Sequence, residues 1–577
     1  MISATVERQI AAALAAATEL LSAKGFTPVT DRHWRGPLAT WENTSIEGEI
    51  VLADDFPFTL PTVTVTRAQL PKRVPHVDKG GKICYAPTNG TLVVHRRPVD
   101  IVRDALSRAR KVIESGLDGY ADQDLLREFI PYWEANARDR AYSICDPNRA
   151  SGDIVCAVVT SARHSQWSSA KVFADSHTQL RVWLGRLGAK VGSHSKALFF
   201  ALTTHFDPPD FDDILTVREL QTRIEGRLSD SDREYFKRRL REASSLPLRV
   251  LISMPGADAD DRVVCGLTIP KASNSDHGFR AGRVPLDVAL LRAQRSSIQP
   301  LGIDRLDARY VTRRGGANPT LRQKKVVVVG CGAVGAPIAS HLAAAGVGHL
   351  HLIDDEPLVA GNVHRHSLGV VDVGTLKVDS LRRRLSERFP HQEVTCDSSK
   401  IREALEIDSH RITSADLVVV AVGDPTVELF INCSLHGIVP RLHAWLEPYG
   451  LGGHWLRATK SGPGCFECIV DSSDAPLVNA SLASTSRDFG QSFAGCAGTF
   501  TPFGELDADQ VAIESAREAI ALLCDAATES LLVSWMGSPT DFQARGFDLS
   551  DRGRTFAPGE RRAEKRFVNP ACPVCAP

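Results

Sequence analysis

The chain has 577 residues, room for three or four domains at about 150 residues each. Its 68 Lys and Arg against 69 Asp and Glu, net charge −1, argue against a basic nucleic-acid-binding field and against an acidic tail. No run of about 18 apolar residues marks a membrane span. Residues 1–25, MISATVERQIAAALAAATELLSAKG, form an Ala-rich amphipathic helical pattern, and Glu7 and Arg8 spoil the apolar stretch a signal peptide needs. Strand-like runs follow in EGEIVLA and TVTVT, with FPFTLP, Phe56 to Pro61, between them. PHVDKGGKICYAP, Pro75 to Pro87, then carries Cys84 in a polar loop. Taken alone, this cysteine reads as a small buried residue more readily than as a nucleophile. A helical pattern, DIVRDALSRARKVI, follows, and DPNRASGD, Asp146 to Asp153, is a turn-rich boundary.

From about residue 150 to 310, apolar runs (DIVCAVVT, ALFFALTT, LRVLISM) alternate with charged helical stretches such as RELQTRIEGRLSDSDREYFKRRLREA. This is an α/β pattern. It carries no motif, so its Trp and His residues read as core or surface. RRGGANP, Arg313 to Pro319, is a second linker.

KKVVVVGCGAVG, Lys324 to Gly335, is a β-branched run ending in G-x-G-x-x-G on Gly330, Gly332 and Gly335. A helical run, APIASHLAAAG, and a second strand, HLHLID, follow and end at Asp354. Glycines that let the backbone approach phosphate at a helix N-terminus, and an acid for ribose hydroxyls after the next strand, describe a nucleotide-binding βαβ unit. A tight structural turn is the alternative. Asn362, Arg365 and Lys377 follow Asp354 in a loop that brings an amide and two cations toward the nucleotide. Two fixed cations suit a triphosphate under attack at phosphorus more than hydride transfer, so a dehydrogenase is a distant reading.

Asp354, Glu356, Asn362 and Arg365 reproduce a D-x-[DE]-x-x-x-x-x-N-x-x-R pattern. On these residues the region resembles the ThiF-type adenylating fold of ubiquitin-activating enzymes. The resemblance implies that Asp354 binds ribose and that Asn362, Arg365 and Lys377 contact ATP phosphates. It also implies that Asp424, ending ADLVVVAVGD, binds Mg2+, a hard cation that prefers oxygen ligands beside phosphate. Arg313 and Arg314 loosely match an arginine that reaches a partner subunit, and the family suggests a homodimer. Two positions depart from the family pattern: Ala333 stands for the second glycine of a usual Gly-Gly pair, and His366 for a usual Gln.

GPGCFECI and the terminal NPACPVCAP supply Cys465, Cys468, Cys572 and Cys575. Two CxxC pairs are the ligands of a closed, structural four-cysteine zinc site, with a reduced thiol cluster or a redox CxxC as the alternative. Between them lies Cys496, before a polar segment and a long amphipathic helix. In the resembled family a cysteine here forms a thioester, the chemistry a thiolate performs on an acyl-adenylate. Cys331, Cys396, Cys433 and Cys524 read as small buried residues, with Cys524 facing a core.

An activating domain implies a thioester acceptor, and the N-terminal region is similar to ubiquitin-conjugating domains. FPFTLP stands for Y-P-F-x-P-P, His76-Val77-Asp78 for H-P-N, and Gly81-Lys82-Ile83-Cys84 for G-x-I-C. The resemblance implies Cys84 as the acceptor. The family's oxyanion-stabilising asparagine is Asp78 here, and a carboxylate donates no hydrogen bond unless protonated. Another donor then does that job, or Asp78 instead orients an incoming amine; His76 reads as structural, and an inactive conjugating-like fold serving as a binding module is the alternative.

These readings give an α/β multidomain chain. Residues 1–148 form an α+β ubiquitin-conjugating-like domain, 149–312 an α/β linker domain, and 313–577 a Rossmann-like ThiF adenylation domain with a four-cysteine zinc site. The order resembles the bacterial ubiquitin-transferase-like fusions of CBASS antiphage operons. That resemblance implies an enzyme joining the C-terminus of a cGAS-like nucleotidyltransferase (CD-NTase) to a target lysine or other amine, using ATP, Mg2+ and structural Zn2+; the CxxC pairs suggest a reducing, cytoplasmic setting, and charge and hydropathy speak against direct nucleic-acid or membrane binding. A sulfur-carrier adenylyltransferase and a non-catalytic nucleotide-binding scaffold are the alternatives.

Overall fold

The computed structural model describes residues 2–87, 90–120, 122–242, 247–258, 261–270, 278–279, 285–470, 480–484, 489–492, 499–525 and 529–576. The chain divides into two compact units. One comprises Met1–Val158, Ser169–Leu180 and Gly192–Arg305, the other Val159–Ser168, Arg181–Val191 and Leu306–Pro577.

The first unit opens with the helix Ile2–Ala23 and a four-stranded antiparallel sheet in chain order: Thr27–Thr30, His33–Trp41, Thr44–Val51 and Thr62–Val65. The strands alternate as half-buried strands do: Ile46, Gly48 and Ile50 point inward, and their neighbours Ser45, Glu47 and Val51 are exposed. Their inner face packs on Ala13, Ala17 and Leu21 of the opening helix. It also packs on Val102, Ala105, Ala109 and Ile113 of the helix Pro98–Leu117, whose buried residues recur at three- and four-residue intervals. A Cβ on Gly36 would sit 2.6 Å from the Phe26 ring, so a glycine is required where this strand passes Phe26.

The middle of the chain forms a closed barrel. Its strands, in order around the wall, are Arg262–Ile269, Gln299–Arg305, Arg140–Ser143, Lys171–Ala174, Gly152–Ser161, Lys190–Ala201 and Leu248–Pro255. ALFFAL, residues 197–202, is apolar throughout because the wall is covered on both sides. Ala197 and Phe199 join Phe173, Leu251 and Leu301 in one core. Leu198 and Phe200 join Trp133, Leu220 and Phe236 of the flanking helices in another.

The second unit is built on an eight-stranded sheet. Five strands are parallel, in the order Glu393–Asp397, His349–Ile353, Lys325–Val329, Leu417–Val420 and Arg441–Leu446. Gly452–Ala458, Leu531–Met536 and Arg561–Glu564 continue the sheet antiparallel. The chain runs outward in one direction from Lys325–Val329 and then crosses to its other side. The carboxyl ends of Lys325–Val329 and Leu417–Val420 therefore flank a topological switch point, where α/β sheets take their ligands. The helix Glu505–Cys524 covers one face through Ala508, Val511, Ala512, Ala519 and Leu523.

Candidate functional sites

The switch point is lined by the glycine loop. Gly330 has φ +84, and a Cβ there would lie 2.5 Å from Ala421 O; one on Gly335 would lie 1.9 Å from Gly330 O. Packing against the chain therefore demands these two glycines. A Cβ on Gly332 would meet nothing within 4 Å, so this is the open face that a phosphate can approach at the start of the helix Gly335–Ala345. Ala333 packs against the core.

Asp354 is pinned by both oxygens: Oδ2 accepts the Cys331 N–H at 2.7 Å and Oδ1 the Glu356 N–H at 2.9 Å. That leaves lone pairs in a fixed orientation for hydroxyl donors. Asn362 Oδ1 accepts from Arg365 Nη2 at 2.9 Å. The Arg365 guanidinium also donates to Thr501 O at 3.2 Å and lies 4.7 Å from the Phe503 ring centroid; burial pulls its pKa below the usual value. Lys377, 4% exposed, pairs with Glu356. Asp424 is exposed and caps the helix Pro425–Leu435, its Oδ1 accepting the Thr426 N–H at 2.8 Å. Its Oδ2 has no partner among the described residues. The switch point thus offers open backbone at Gly332, a pinned carboxylate at Asp354, the cationic side chains Arg365 and Lys377 and the exposed acid Asp424, donor types suited to a nucleoside triphosphate and a hard divalent cation.

Cys465, Cys468, Cys572 and Cys575 are buried, their sulfurs within 4.8 Å of one another. Cys465 and Cys572 Sγ lie 3.7 Å apart, and Cys468 and Cys575 Sγ 3.4 Å. Tetrahedral zinc with bonds of about 2.3 Å spaces its sulfurs by about 3.8 Å, so the cluster fits that ion. Asn432 Nδ2 and the Gly464 N–H point at the Cys465 and Cys575 sulfurs at 3.4 and 3.3 Å, as groups that orient thiolate ligands do. Arg441 is fully buried beside them. Burial draws its guanidinium down to about 10, opposed by the charges of Cys465 and Cys575.

Cys496 lies outside the described residues. The segments around it, Gln491–Ser492 and Thr499–Phe500, pair antiparallel. Tyr449 touches both sides: its hydroxyl accepts from Gln491 Nε2 at 3.1 Å and its N–H donates to Pro502 O at 2.6 Å.

In the first unit, Cys84 is exposed and its N–H donates to His76 O at 2.7 Å. His76 adopts φ +64, an uncommon conformation for a side-chain-bearing residue. It is held by an acid pair: its N–H donates to Glu128 Oε2 at 2.8 Å, its Nδ1 meets Glu128 Oε1 at 2.7 Å, and its Nε2 lies 3.5 Å from Asp124. The Glu128 hydrogen bond raises the imidazole pKa, with burial opposing. Burial, then the charges of Glu128 and Asp78, push the Cys84 thiol up. Asp78 Oδ1 accepts the Lys82 N–H at 2.8 Å, so its carboxylate builds the turn.

Two expectations need correction. Cys433 and Cys524 are exposed, not buried. Cys524, at the end of its helix, receives Asn318 Nδ2 at 3.3 Å; its neighbour Leu523 takes the core position. Cys331 is buried, which raises its thiol pKa strongly, and Cys396 is half-buried. The residues missed by sequence reasoning are Asp124 and Glu128, which hold His76, and Tyr449. The polar stretch Gln123–Glu128 carried no motif that singled them out.

Residues 312–536 match the ThiF family, and residues 15–142 match Prokaryotic E2 family B. The chain thus joins a region that matches an E2 family to a region that matches the ThiF family. It is similar to the ATP-dependent ubiquitin transferase-like protein Cap2 of Pseudomonas aeruginosa (strain BWHPSA011 / Pa011), 25% identical over 80% of this chain and 83% of that one. Cap2 of Escherichia coli (strain TW11681) is 28% identical over 36% of this chain and 37% of its own. A crystal structure of E. coli MccB with AMPCPP and MccA is 18% identical, covers 62% of this chain and 85% of that one, and has a TM-score of 0.34.

Proposed function

We propose that the protein is a cytoplasmic ATP-dependent enzyme that activates a protein C-terminus and conjugates it to an amine. The substrate carboxylate attacks the α-phosphate of ATP and pyrophosphate leaves. Asp354 orients the ribose, the backbone at Gly332 admits the phosphates, and Arg365 and Lys377 hold the charge that builds up there. Asp424 is the residue that would hold Mg2+, which neutralises phosphate charge when bound. Cys496 attacks the acyl-adenylate and expels AMP; Cys84 then takes the acyl group from Cys496 by thioester exchange, and a lysine or other amine takes it from Cys84. The four buried cysteines would hold Zn2+ as a structural cross-link. The two Cap2 relatives, named as ATP-dependent ubiquitin transferase-like proteins, support the ATP-dependent transfer; the resemblance to CBASS fusions supports a CD-NTase C-terminus as substrate, and the resemblance to the activating family a homodimer as the working form.

The observation that carries this reading is the presence in one chain of the Gly332 cup, with its pinned Asp354 and paired cations, and of an exposed cysteine on an E2-like loop. ATP–pyrophosphate exchange that depends on a partner with an intact C-terminus tests the first step. Intact-mass analysis of wild type, Cys496→Ala and Cys84→Ala tests the relay: Cys496→Ala abolishes loading of Cys84, and Cys84→Ala leaves the acyl group on Cys496. Full product formation by Cys84→Ala favours a sulfur-carrier adenylyltransferase, and absence of exchange favours a non-catalytic scaffold.

A further inference from the structure

Aminolysis of a thioester passes through a tetrahedral intermediate whose former carbonyl oxygen carries negative charge, and a donor aimed at that oxygen lowers the barrier. In the family that this loop resembles the donor is an asparagine amide, here replaced by Asp78. The carboxylate of Asp78 can only accept, and it is already committed to the Lys82 N–H at 2.8 Å. The donor must come from elsewhere.

The loop itself narrows the choice. Val77 and Ile83 form an antiparallel bridge, and Ile83 N–H donates to Val63 O at 2.9 Å, so residues 82–84 run extended along the sheet edge. Ile83 is 1% exposed and joins the core, while Lys82 and Cys84 on either side of it are exposed. In an extended segment alternate residues share a face; Lys82 therefore stands on the same face as Cys84. Their Cα atoms are about 6.5 Å apart at the usual strand rise, within the span of a four-carbon lysine stem carrying three rotatable donors. The other two cationic side chains here are engaged: His76 by Glu128 and Asp124, and Lys79 by Asp212 at 3.1 Å. Lys82 has no ion-pair or hydrogen-bond partner for its ammonium among the described residues.

We propose that the Lys82 ammonium is the oxyanion-stabilising donor for acyl transfer at Cys84, in place of the missing amide. The proposal rests on the reading of Cys84 as an acyl acceptor. The incoming amine forms a C–N bond to the thioester carbonyl carbon, and the carbonyl π electrons move to oxygen, where the ammonium holds them. Collapse restores the carbonyl, breaks the C–S bond and releases Cys84 as thiolate, which takes up the proton the amine loses. The Lys82 charge also acts on the Cys84 thiolate against the charges of Glu128 and Asp78.

The test uses the full-length protein and a small acyl donor, so that it does not depend on ATP, Cys496 or the partner. The S-(2-sulfonatoethyl) thioester of N-acetylglycine acylates Cys84 by exchange, with loss of mercaptoethanesulfonate. Hydroxylamine then discharges the acyl group as the hydroxamate, and peptide-resolved mass spectrometry follows Cys84 alone. Lys82→Gln is expected to slow discharge about tenfold, less than the loss of a fully enclosed donor because this face is solvated. Lys82→Arg keeps the rate within about threefold, and Lys79→Gln leaves it unchanged. Discharge of Lys82→Gln at the wild-type rate overturns the proposal alone, as does Lys82→Arg being as slow as Lys82→Gln. Acyl transfer onto the Lys82 amine also overturns it, making Lys82 an acceptor. Failure of wild-type Cys84 to take the acyl group at all overturns the acceptor reading, and this proposal with it.

Discussion

His366 ties the loop that carries Arg365 to the glycine loop: its Nε2 donates to Cys331 O at 2.8 Å, and its Nδ1 accepts the Leu368 N–H at 3.0 Å. A carbonyl can only accept and an amide N–H only donate, so these two bonds fix the neutral tautomer with its proton on Nε2. Burial lowers the imidazole pKa and keeps it in that state, aided by Lys377 and opposed by the bond to Cys331.

A glutamine amide offers the same donor and acceptor, so His366→Gln is expected to keep ATP affinity within about threefold. His366→Ala leaves a buried C=O and N–H unpaired, worth about 1–3 kcal/mol, and is expected to weaken ATP binding about tenfold in calorimetric titration. Equal affinities for the Ala and Gln variants would show that the ring does not set the loop. The lowered pKa also means that the contribution of His366 to stability is complete above the usual histidine value of about 6.5. It is lost as pH falls toward the folded value.

The His76–Glu128 pair predicts a pH window for the cysteine loop. The raised pKa of His76 stabilises the folded loop fully below about 6.5, and that contribution is lost as pH rises through the folded value. The Glu128 pKa is lowered: burial opposes the shift, but the hydrogen bonds from the His76 ring and N–H outweigh it. Its contribution is present above about 4.3 and lost as pH falls through the folded value. Thermal unfolding of wild type against Glu128→Gln should therefore differ most between those limits. The difference should be about 1 kcal/mol or less, because both side chains are partly solvated. Glu128→Gln also removes a negative charge that raises the Cys84 thiol, so iodoacetamide should alkylate Cys84 about two- to threefold faster at neutral pH. No change in that rate would mean the acid does not act on the sulfur.

What the sequence made legible were features confined to short windows. VVVV before Gly330 is a fully buried parallel strand because both faces are covered. The spacing from Asp354 to Arg365 survives because it is one continuous loop. The CxxC pairs are legible because each is one turn, although their meeting is a matter of the fold. The barrel was not legible as a barrel: closure depends on Arg140–Ser143 pairing in parallel with Gln299–Arg305, a contact between segments far apart in the chain. The acid clamp on His76 is also long-range, and Cys433 and Cys524 face outward because helix phase, not residue type, decides which side a cysteine takes.

Purified protein should contain about one zinc per chain, and Cys465→Ser or Cys575→Ser should lose it. Four thiolates cannot remain packed without the cation, so chelation should lower the thermal transition of the ThiF-containing unit and expose Cys572 and Cys575 to alkylation. Loading of Cys84 by the small acyl thioester should survive, since the cluster lies in the other unit. Metal-free protein with an unchanged transition would remove the structural role.

A buried relay lies next to the segment that leads toward Cys496. Glu447 Oε1 accepts the Leu482 N–H at 2.8 Å and His454 Nε2 at 2.9 Å, and Oε2 accepts the Ala483 N–H at 3.2 Å. His454 Nε2 must then carry the proton, and Nδ1 accepts from the Ser534 hydroxyl at 2.8 Å; Ser534 Oγ accepts in turn from Arg552 at 2.8 Å. Burial lowers the His454 pKa, with the Glu447 hydrogen bond opposing. This Ser–His–Glu chain has the partners of a hydrolytic triad but no access: Ser534 and His454 are 0% exposed and Glu447 5%. It is therefore a clamp that fixes Leu482 and Ala483. Glu447→Gln keeps the shape but turns one acceptor oxygen into a donor facing another donor, while Glu447→Ala leaves three donors unpaired. Both should destabilise the unit, the Ala variant by about 3 kcal/mol or more, since each buried donor left unpaired costs about 1–3 kcal/mol. Ser534→Ala should cost only about 1 kcal/mol and leave ATP–pyrophosphate exchange intact. A hydrolytic activity lost in Ser534→Ala, with stability unchanged, would refute the clamp.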